Sequence, residues 1–410
     1  MRRIAALAWV AGDDPAAQRI VGALVVAIFV EGLGASSVLP LLPLFLRTHG
    51  TSAAMVGAVM GSFFIAGVLT QYPAGALTDR IGHRPVIVGG LALYAAASLG
   101  FIAAVGSGGY LGLRALQGVG SGAVQVATLA VVGRIVPLER RGRAFSAVFG
   151  AQLGGMAIGP AAGSLVGVDN LRWLFAATAV ASLIAVVPVI AGTGLAGSRR
   201  PIDAPIESLA VTRALLGVAF VGVATGLITG VYEACWSLLM NSRGAADWQI
   251  GLSWTLFALP FAVFSPVAGR LADRLDRRWL AGIATLTSCA FAATYPFLPS
   301  VALLLGLGTA EAIGTVAAYP AAQSLLTEAA TPETLGRAQG FYTTAQTASI
   351  AVAAAVSGAM FGAARWLPFF TAGVVGASLV AALPTMWRGV PGHATRKIEV
   401  PLPPPVELPA

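Results

Sequence analysis

Charged residues are scarce in this 410-residue chain, at 10% of the sequence against 57% hydrophobic residues. So few charges cannot cover the surface of a soluble protein of this length, which excludes a soluble globular fold. The net charge of +8 is spread over short segments between apolar runs, with no basic, aromatic-rich patch for nucleic acid. The sequence therefore predicts a chain solvated mainly by lipid and without a nucleic-acid partner.

Cysteine is also rare, and the motifs of several function classes are missing. The two cysteines, Cys235 and Cys289, lie in apolar runs without metal-ligand spacing, so we predict small core residues rather than a metal site. No G-x-x-x-x-G-K phosphate loop occurs, which excludes ATP as the driver. No nucleophile–base arrangement indicates an enzyme, and we expect no cofactor.

Long apolar runs predict twelve membrane-spanning helices, because a bilayer core needs about 20 apolar residues per helix. The predicted spans are 20–46, 54–77, 85–105, 109–134, 144–167, 173–191, 214–240, 250–272, 279–297, 300–326, 338–363 and 366–386. The predicted domains are a first six-helix half (1–191), a cytoplasmic linker (192–213), a second six-helix half (214–386) and a disordered cytoplasmic tail (387–410). The Pro-rich tail leaves open an extended segment that binds a partner domain.

The basic residues predict the orientation of the chain in a cell membrane. If the N-terminus is cytoplasmic, 20 of the 25 Lys and Arg residues fall in cytoplasmic segments and four in outer segments, and Arg114 lies within a span. Cytoplasmic loops carry an excess of Lys and Arg. We therefore predict a multi-pass protein of the plasma or inner membrane with both termini in the cytoplasm.

Two ten-residue segments are related by an offset of 194 residues: Gly75–Arg84 (GALTDRIGHR) and Gly269–Arg278 (GRLADRLDRR). The same offset, without a gap, pairs Gly57 with Gly251, Phe63 with Phe257, Asp79 with Asp273, Arg143 with Arg337 and Gln152 with Gln346. Two fused copies of one membrane unit can bind a ligand at their interface and rock about it. The repeat therefore predicts a transporter.

The first copy resembles the loop signature after the second helix of the major facilitator superfamily, G-x-L-x-D-R-x-G-R-R/K. This resemblance, over residues 20–386, implies an all-α membrane fold of two pseudo-symmetric six-helix halves and a latch that closes the cytoplasmic side. The implied latch residues are Gly75, Asp79, Arg80, Gly82, Arg84, Asp273 and Arg274. Any cytoplasmic loop is basic, but two copies at one offset argue against that simpler reading. In the second copy Asp276 replaces the glycine, which predicts a looser turn.

One basic residue, Arg114, lies inside the fourth predicted span. Its segment resembles the family's R-x-x-Q-G pattern through Arg114, Gln117 and Gly118. A guanidinium inside a membrane is unfavourable by several kcal/mol unless it is paired or reaches water. Arg114 either extends to the surface or belongs to a binding site together with Gln117, and the motif favours the site.

The fifth span resembles the G-x-x-x-G-P-x-x-G-G motif of the twelve-helix drug/proton antiporters. The matching residues are Gly155, Gly159, Pro160 and Gly163, and Ser164 replaces the last glycine. A stripe of small residues permits close helix contact, and proline bends the helix. The second half has Ala353 and Ala354 at the corresponding positions, so the motif belongs to one half only, as in the antiporters. The resemblance implies export, and the alternative is ordinary tight packing.

Three acids lie within predicted spans: Glu31, Glu233 and Glu311. A carboxyl group in a low-dielectric site can hold a proton at neutral pH and release it when water or a cation arrives. Glu31 and Glu311 are expected near the midplane, and the alternative for each is a neutral carboxyl group hydrogen-bonded within the bundle. The repeat places Glu311 opposite Gln117, so Glu311 and Gln117 are expected to face the central cavity. Glu233 belongs either to the site or to the aromatic belt at the membrane surface.

These features predict a monomeric secondary transporter that exports small hydrophobic compounds or drugs by alternating access, with the proton gradient as energy source. Its partners would be the substrate, protons and the lipid bilayer. The alternative within transport is an importer or facilitator of a sugar or organic acid. A non-transporting receptor or scaffold is a third reading, and the gating motifs present in both halves argue against it.

Overall fold

The computed structural model of the chain describes residues 14–103, 106–136, 140–192, 210–330 and 334–390, and all regular structure in them is helical. We label the helices that overlap the twelve predicted spans as α1 to α12. They are α1 Pro15–Val38, α2 Ala53–Ile81, α3 His83–Gly100, α4 Gly106–Ile135, α5 Arg141–Val166, α6 Leu171–Gly192, α7 Arg213–Asn241, α8 Asp247–Arg274, α9 Arg277–Thr294, α10 Val301–Thr315 with Ala318–Ala329, α11 Leu335–Ala363 and α12 Leu367–Ala381. Short helices at Leu42–Thr48, Val168–Asn170, Tyr295–Phe297 and Leu383–Met386 complete the described structure. Most of the predicted linker and the tail from residue 391 onward lie outside the described residues.

Nine helices in the described residues are long and apolar enough to cross a membrane. The other three, α3, α5 and α8, have 18, 26 and 28 residues. The predicted all-helical, multi-span fold is confirmed, and the count of twelve membrane crossings stays a prediction.

Prolines interrupt some helices that the apolar runs predicted to be continuous. The predicted span 20–46 ends its first helix at Val38, just before two prolines. The predicted span 300–326 is divided after Thr315 because Pro320 has no N–H to donate to the carbonyl group of Val316, four residues earlier. Hydropathy alone does not register such breaks.

The two halves of the chain pack their helices in the same order. In the first half α1 packs on α5 and α6, α2 on α4, and α3 on α4 and α6. In the second half α7 packs on α11 and α12, α8 on α10, and α9 on α10 and α12. The halves meet through two seams, α2 against α11 and α5 against α8. Each helix therefore has a counterpart six helices later, as the sequence repeat leads one to expect.

Gly57 and Gly251, which the repeat pairs, lie at these two seams. A Cβ atom at Gly57 would lie 2.7 Å from the carbonyl oxygen of Ala354 in α11. A Cβ atom at Gly251 would lie 2.5 Å from the carbonyl oxygen of Pro160 in α5. Only glycine allows the backbones to approach so closely. Glycine at the two positions that the repeat pairs therefore makes both contacts between the halves possible.

The bundle has two ends, which differ in how the halves are joined. We name the end where the described chain begins and finishes, at Asp14 and Val390, the terminal face, and the opposite end the distal face. Loop charge predicts that the terminal face is cytoplasmic.

One hydrophobic cluster, here called the distal cluster, joins both halves at the distal face. It contains Phe45 and Phe175 from the first half and Trp236 and Phe369 from the second. At the terminal face each half instead has a hydrophobic core of its own in the described residues. In the described residues the halves therefore share one hydrophobic core at the distal face and have separate cores toward the terminal face.

Candidate transport site and gates

Arg114 lies inside the first half and does not extend to the surface, since it is only 2% exposed. Its Nη1 donates a hydrogen bond to Gln117 Oε1 at 2.9 Å, and its guanidinium lies 4.3 Å from the ring centroid of Phe63 in α2. Gln117 in turn donates to Ser98 Oγ of α3 at 2.9 Å. These contacts fix the charge between α2, α3 and α4, and a cation over an aromatic face is favourable.

Glu233 of α7 is buried in the bundle, at 7% exposure, rather than placed in an aromatic belt. Its Oε2 has no hydrogen-bond partner, and neither has Nε of Arg114. The two residues lie close enough to attract each other across the boundary between the halves. Since buried polar atoms are normally satisfied, this pair can accept a proton, a water molecule or a polar atom of a ligand.

Glu31 of α1 is 5% exposed and accepts a hydrogen bond from Ser121 Oγ of α4 at 2.5 Å. At the matching repeat position the second half has Thr225 of α7, which accepts a hydrogen bond from Gln346 Nε2 of α11 at 3.2 Å. The first half therefore has a titratable group where the second has a neutral hydroxyl.

Glu311 does not face the space between the halves, contrary to the expectation from the repeat. It is 1% exposed and bonded within its own half to three hydroxyl groups. Ser288 Oγ of α9 donates at 2.5 Å, Tyr295 OH at 2.7 Å, and Tyr232 OH of α7 at 3.2 and 3.3 Å. We name Tyr232, Ser288 and Tyr295 the hydroxyl cage. Gln117 is likewise turned toward α3 of its own half. Both side chains point between helices of one half because hydroxyl groups there form hydrogen bonds with them.

The antiporter-like stripe of α5 packs directly on α1. A Cβ atom at Gly155 would lie 2.6 Å from the carbonyl oxygen of Phe29, and one at Gly159 would lie 2.7 Å from that of Leu33. A Cβ atom at Gly163 would overlap the carbonyl group of Ser37. The stripe therefore allows close contact with the helix that carries Glu31. Pro160 lies inside α5, and its carbonyl oxygen is turned toward Gly251 of α8.

A tie between the halves lies at the distal face, on one side of α8. Asp247 Oδ2 accepts a hydrogen bond from the backbone N–H of Val168 at 2.7 Å. One and two turns further along α8, Gly251 packs on α5 and Thr255 Oγ1 donates to the carbonyl oxygen of Ala157 at 3.3 Å. Residues four apart lie on one face of a helix. We name Asp247, Gly251 and Thr255 the distal tie.

The predicted latch residues of the first repeat copy lie at the terminal face. Asp79 and Arg80 are exposed near the end of α2, while Gly75 and Arg84 are half-buried. Gly82 ends α2 with a φ of +90°, which L side chains rarely adopt, and α3 begins at the next residue. The glycine is therefore required by the sharp turn between α2 and α3.

In the second copy of the repeated segment, the turn between α8 and α9 has a different conformation, and Asp276 caps the start of α9. Arg274 is exposed, and the side chain of Asp273 lies outside the described residues. Asp276 caps α9 by accepting hydrogen bonds from the N–H of Arg278 at 2.9 Å and from its Nη2 at 2.6 Å. These hydrogen bonds hold the pKa of Asp276 below its ordinary value. The expectation of a looser turn is wrong because an aspartate cap replaces the conformational freedom of glycine.

Several of these partners follow from no motif in the sequence. Ser121 and Ser288 could have been sought at repeat positions, since both are paired there with residues that carry a hydroxyl group. Tyr232 and Tyr295 are paired with apolar residues, and Asp247 and Val168 meet only in the folded bundle. Among the described residues, no group of three His, Cys, Asp or Glu side chains could hold a metal ion.

A two-fold bundle of apolar helices, clamped at one end and with charged groups buried near the boundary between its halves, has the architecture of a secondary transporter. The sequence profile of the Major Facilitator Superfamily matches residues 24–212 and 214–406. The chain belongs to this family of membrane transporters.

Relatives of the chain include proteins of Escherichia coli and Aeromonas hydrophila. The inner membrane transport protein YajR of Escherichia coli K12 is 35% identical over 185 residues, which are 42% of this chain and 40% of YajR. This match therefore spans less than half of each protein. The multidrug resistance protein MdtH of Aeromonas hydrophila is 27% identical over 390 residues, covering 88% of this chain and 94% of MdtH.

Among solved structures, a variant of the nucleoside transporter NupG superimposes with a TM-score of 0.72 at 14% sequence identity. The superposition covers 90% of this chain and 100% of that one. At this identity the likeness shows the shared fold alone.

Proposed function

We propose that the protein exports small hydrophobic compounds in exchange for protons, by alternating exposure of a site between its halves. The observation that chiefly supports this proposal is the close contact between α1 and α5 within the first half. There the stripe from Gly155 to Gly163 packs on the helix that bears the buried carboxylate Glu31. The multidrug resistance name of the relative MdtH agrees with export.

The proposed cycle begins from the described conformation, with the terminal face as the cytoplasmic side. A compound enters from the terminal face while the distal cluster keeps the opposite end closed. Glu31 is ionised in this state and accepts the hydrogen bond of Ser121. The halves then rock apart at the distal face, where a proton from outside neutralises Glu31 and the compound leaves. Return of the protonated protein carries the proton inward.

Everted membrane vesicles test the direction of transport, because they expose the cytoplasmic face to the medium. With the vesicle interior made acidic, ethidium and chloramphenicol added outside are expected to accumulate inside. Vesicles that contain Glu31→Gln at equal abundance are the matched control, and a protonophore should abolish the signal. No accumulation of either compound above that control would contradict the proposal.

The importer reading predicts the opposite result. Right-side-out vesicles would then accumulate a substrate when the outside is acidic, because proton and substrate move together. A sugar and an organic acid are suitable probes for this arm. Uptake of that kind would replace export by proton symport, while absence of exchange in both vesicle types would favour a receptor or scaffold.

A further inference from the structure

Glu311 and its hydroxyl cage form a closed polar group inside the second half. The carboxylate is 1% exposed, and it accepts hydrogen bonds from hydroxyl groups on three different segments of that half. The carboxylate of Glu31 is bonded instead to a single hydroxyl in the first half. The two acids therefore have separate surroundings, and Glu311 is the more completely bonded.

The sequence repeat shows that the cage accompanies the acid. The offset of 194 residues pairs Glu311 with Gln117, Tyr232 with Val38, Ser288 with Tyr94 and Tyr295 with Phe101. Where the first half has a neutral amide, two of the three cage positions have no hydroxyl. The second half therefore has both the acid and the groups that stabilise its ionised form.

The chemical nature of the cage makes the acid titratable rather than permanently charged. A buried carboxylate next to Lys or Arg is held in its ionised form. The groups that hydrogen-bond to Glu311 are neutral hydroxyls. Among the described residues of the packed helices, the further titratable group that interacts with it is the thiol of Cys289 on α9. Hydroxyl donors stabilise the anion in part, so a proton can still compete for the carboxylate.

We propose that Glu311 and the hydroxyl cage form a second proton-binding site, contained in the second half and separate from Glu31. Binding forms one O–H bond on the carboxyl group, with the proton taken from water, and release returns the proton to water. No other bond is made or broken.

Neighbouring residues on α7 connect this site to the boundary between the halves. Tyr232 contacts Glu311 within the second half, while the adjacent Glu233 attracts Arg114 of the first half. A change in the protonation of Glu311 therefore alters its hydrogen bond with Tyr232. Tyr232 is next in the chain to Glu233, which belongs to the charge pair that spans the two halves. This role in the transport cycle rests on the proposed function, whereas proton binding itself does not.

Infrared titration of the purified full-length protein in detergent tests the site directly, through the C=O band of protonated carboxyl groups. Glu311→Gln should remove one titrating component that Glu31→Gln and Glu233→Gln leave in place. Loss of a donor destabilises the anion, so Tyr295→Phe and Ser288→Ala should each move the midpoint of this component to higher pH by about one unit. Tyr232→Phe should move it less, because its hydrogen bonds are longer.

Tyr342→Phe is the matched control, since Tyr342 is another buried tyrosine of the second half that does not bond to Glu311. Its midpoint should equal that of the unmodified protein. The proposal is overturned if Glu311→Gln removes no component, or if Tyr295→Phe, which keeps the aromatic packing, shifts the midpoint no more than the control. A normal titration in protein that fails to export would contradict the proposed function and leave this proton site standing.

Discussion

The buried charges of this protein differ in how the surrounding residues compensate them. Arg114 has an amide and an aromatic ring, and Glu311 has three hydroxyl donors. Among the described residues, Glu31 has one hydroxyl donor, and Glu233 has the attraction of a charge in the other half, with its Oε2 unpartnered. An incompletely compensated charge inside a membrane protein responds most strongly when a proton or ligand arrives. We therefore propose that Glu31 and Glu233 are the groups that respond during transport.

The substitution Glu31→Gln tests the part of this residue in proton coupling. The amide side chain is not charged but keeps an oxygen that can accept the hydrogen bond of Ser121, so the variant should fold and bind substrate. Exchange of labelled for unlabelled substrate should persist, while accumulation driven by a pH gradient should fall to the level seen with a protonophore. Undiminished uphill export at normal expression would remove Glu31 from the mechanism.

Among the elements, the glycines of α5 differ in their surroundings, and Gly163 is one of those that allow close contact with α1. Gly163 lies against the carbonyl group of Ser37, whereas a Cβ atom added at Gly150 on the same helix would meet no neighbouring atom within 4 Å. Gly163→Ala should therefore destabilise the protein by about 1–3 kcal/mol through overpacking. Gly150→Ala should be neutral or stabilising by about 0.5–1 kcal/mol, because alanine favours helix.

Thermal unfolding of the two variants in detergent measures this difference. Only Gly163→Ala should lower the unfolding midpoint, and transport should fall with it because α5 is pushed away from α1. Equal unfolding midpoints for the two variants would show that Gly163 of α5 does not pack against Ser37 of α1.

The Asp276 cap of α9 makes the stability of the protein depend on pH, in an acidic range below the pH at which transport is measured. Because Arg278 lowers the pKa of Asp276, the cap contributes stability above the ordinary aspartate pKa of about 3.9 and loses it as the pH falls through the lowered value. Asp276→Ala should lower stability by about 1 kcal/mol at neutral pH. The pH profile of transport should keep its midpoints, and a moved midpoint would assign Asp276 a role in coupling.

At the scale of the whole molecule, the proposed transport cycle makes closure of the distal face and closure of the terminal face alternatives. The distal cluster and the distal tie join the halves in the described conformation, while the predicted latch residues around Asp79 lie at the terminal face, where the halves have separate cores. A mutation at either face should therefore shift the balance between two states without touching the substrate.

Asp247→Ala removes the hydrogen bond from the N–H of Val168 and should favour opening of the distal face. A single cysteine introduced in the distal cluster at Phe45 should then react faster with a membrane-impermeant maleimide added from outside. Asp169→Ala is the control, because Asp169 is exposed on the neighbouring turn and is not part of the distal tie. Equal labelling rates in the two variants would contradict a role for the tie.

Asp79→Asn should act in the opposite sense, since it weakens closure of the terminal face. Turnover should slow, while substrate affinity stays within a few fold, because the change lies about half a bilayer from the site. Measured binding and transport rates separate the two quantities. A large loss of affinity with unchanged turnover would place Asp79 in the binding site.

The sequence by itself determined the membrane class, the positions of most helices to within a few residues, the two-fold repeat and the family motifs. Each of these is a property of local composition or of spacing along the chain. Only the tertiary structure decided that Arg114 attracts Glu233, that Glu311 is bonded within its own half and that Asp247 holds Val168. A helix that is apolar on all sides gives no signal of which face meets which neighbour, so the directions of its few polar side chains are fixed by packing alone.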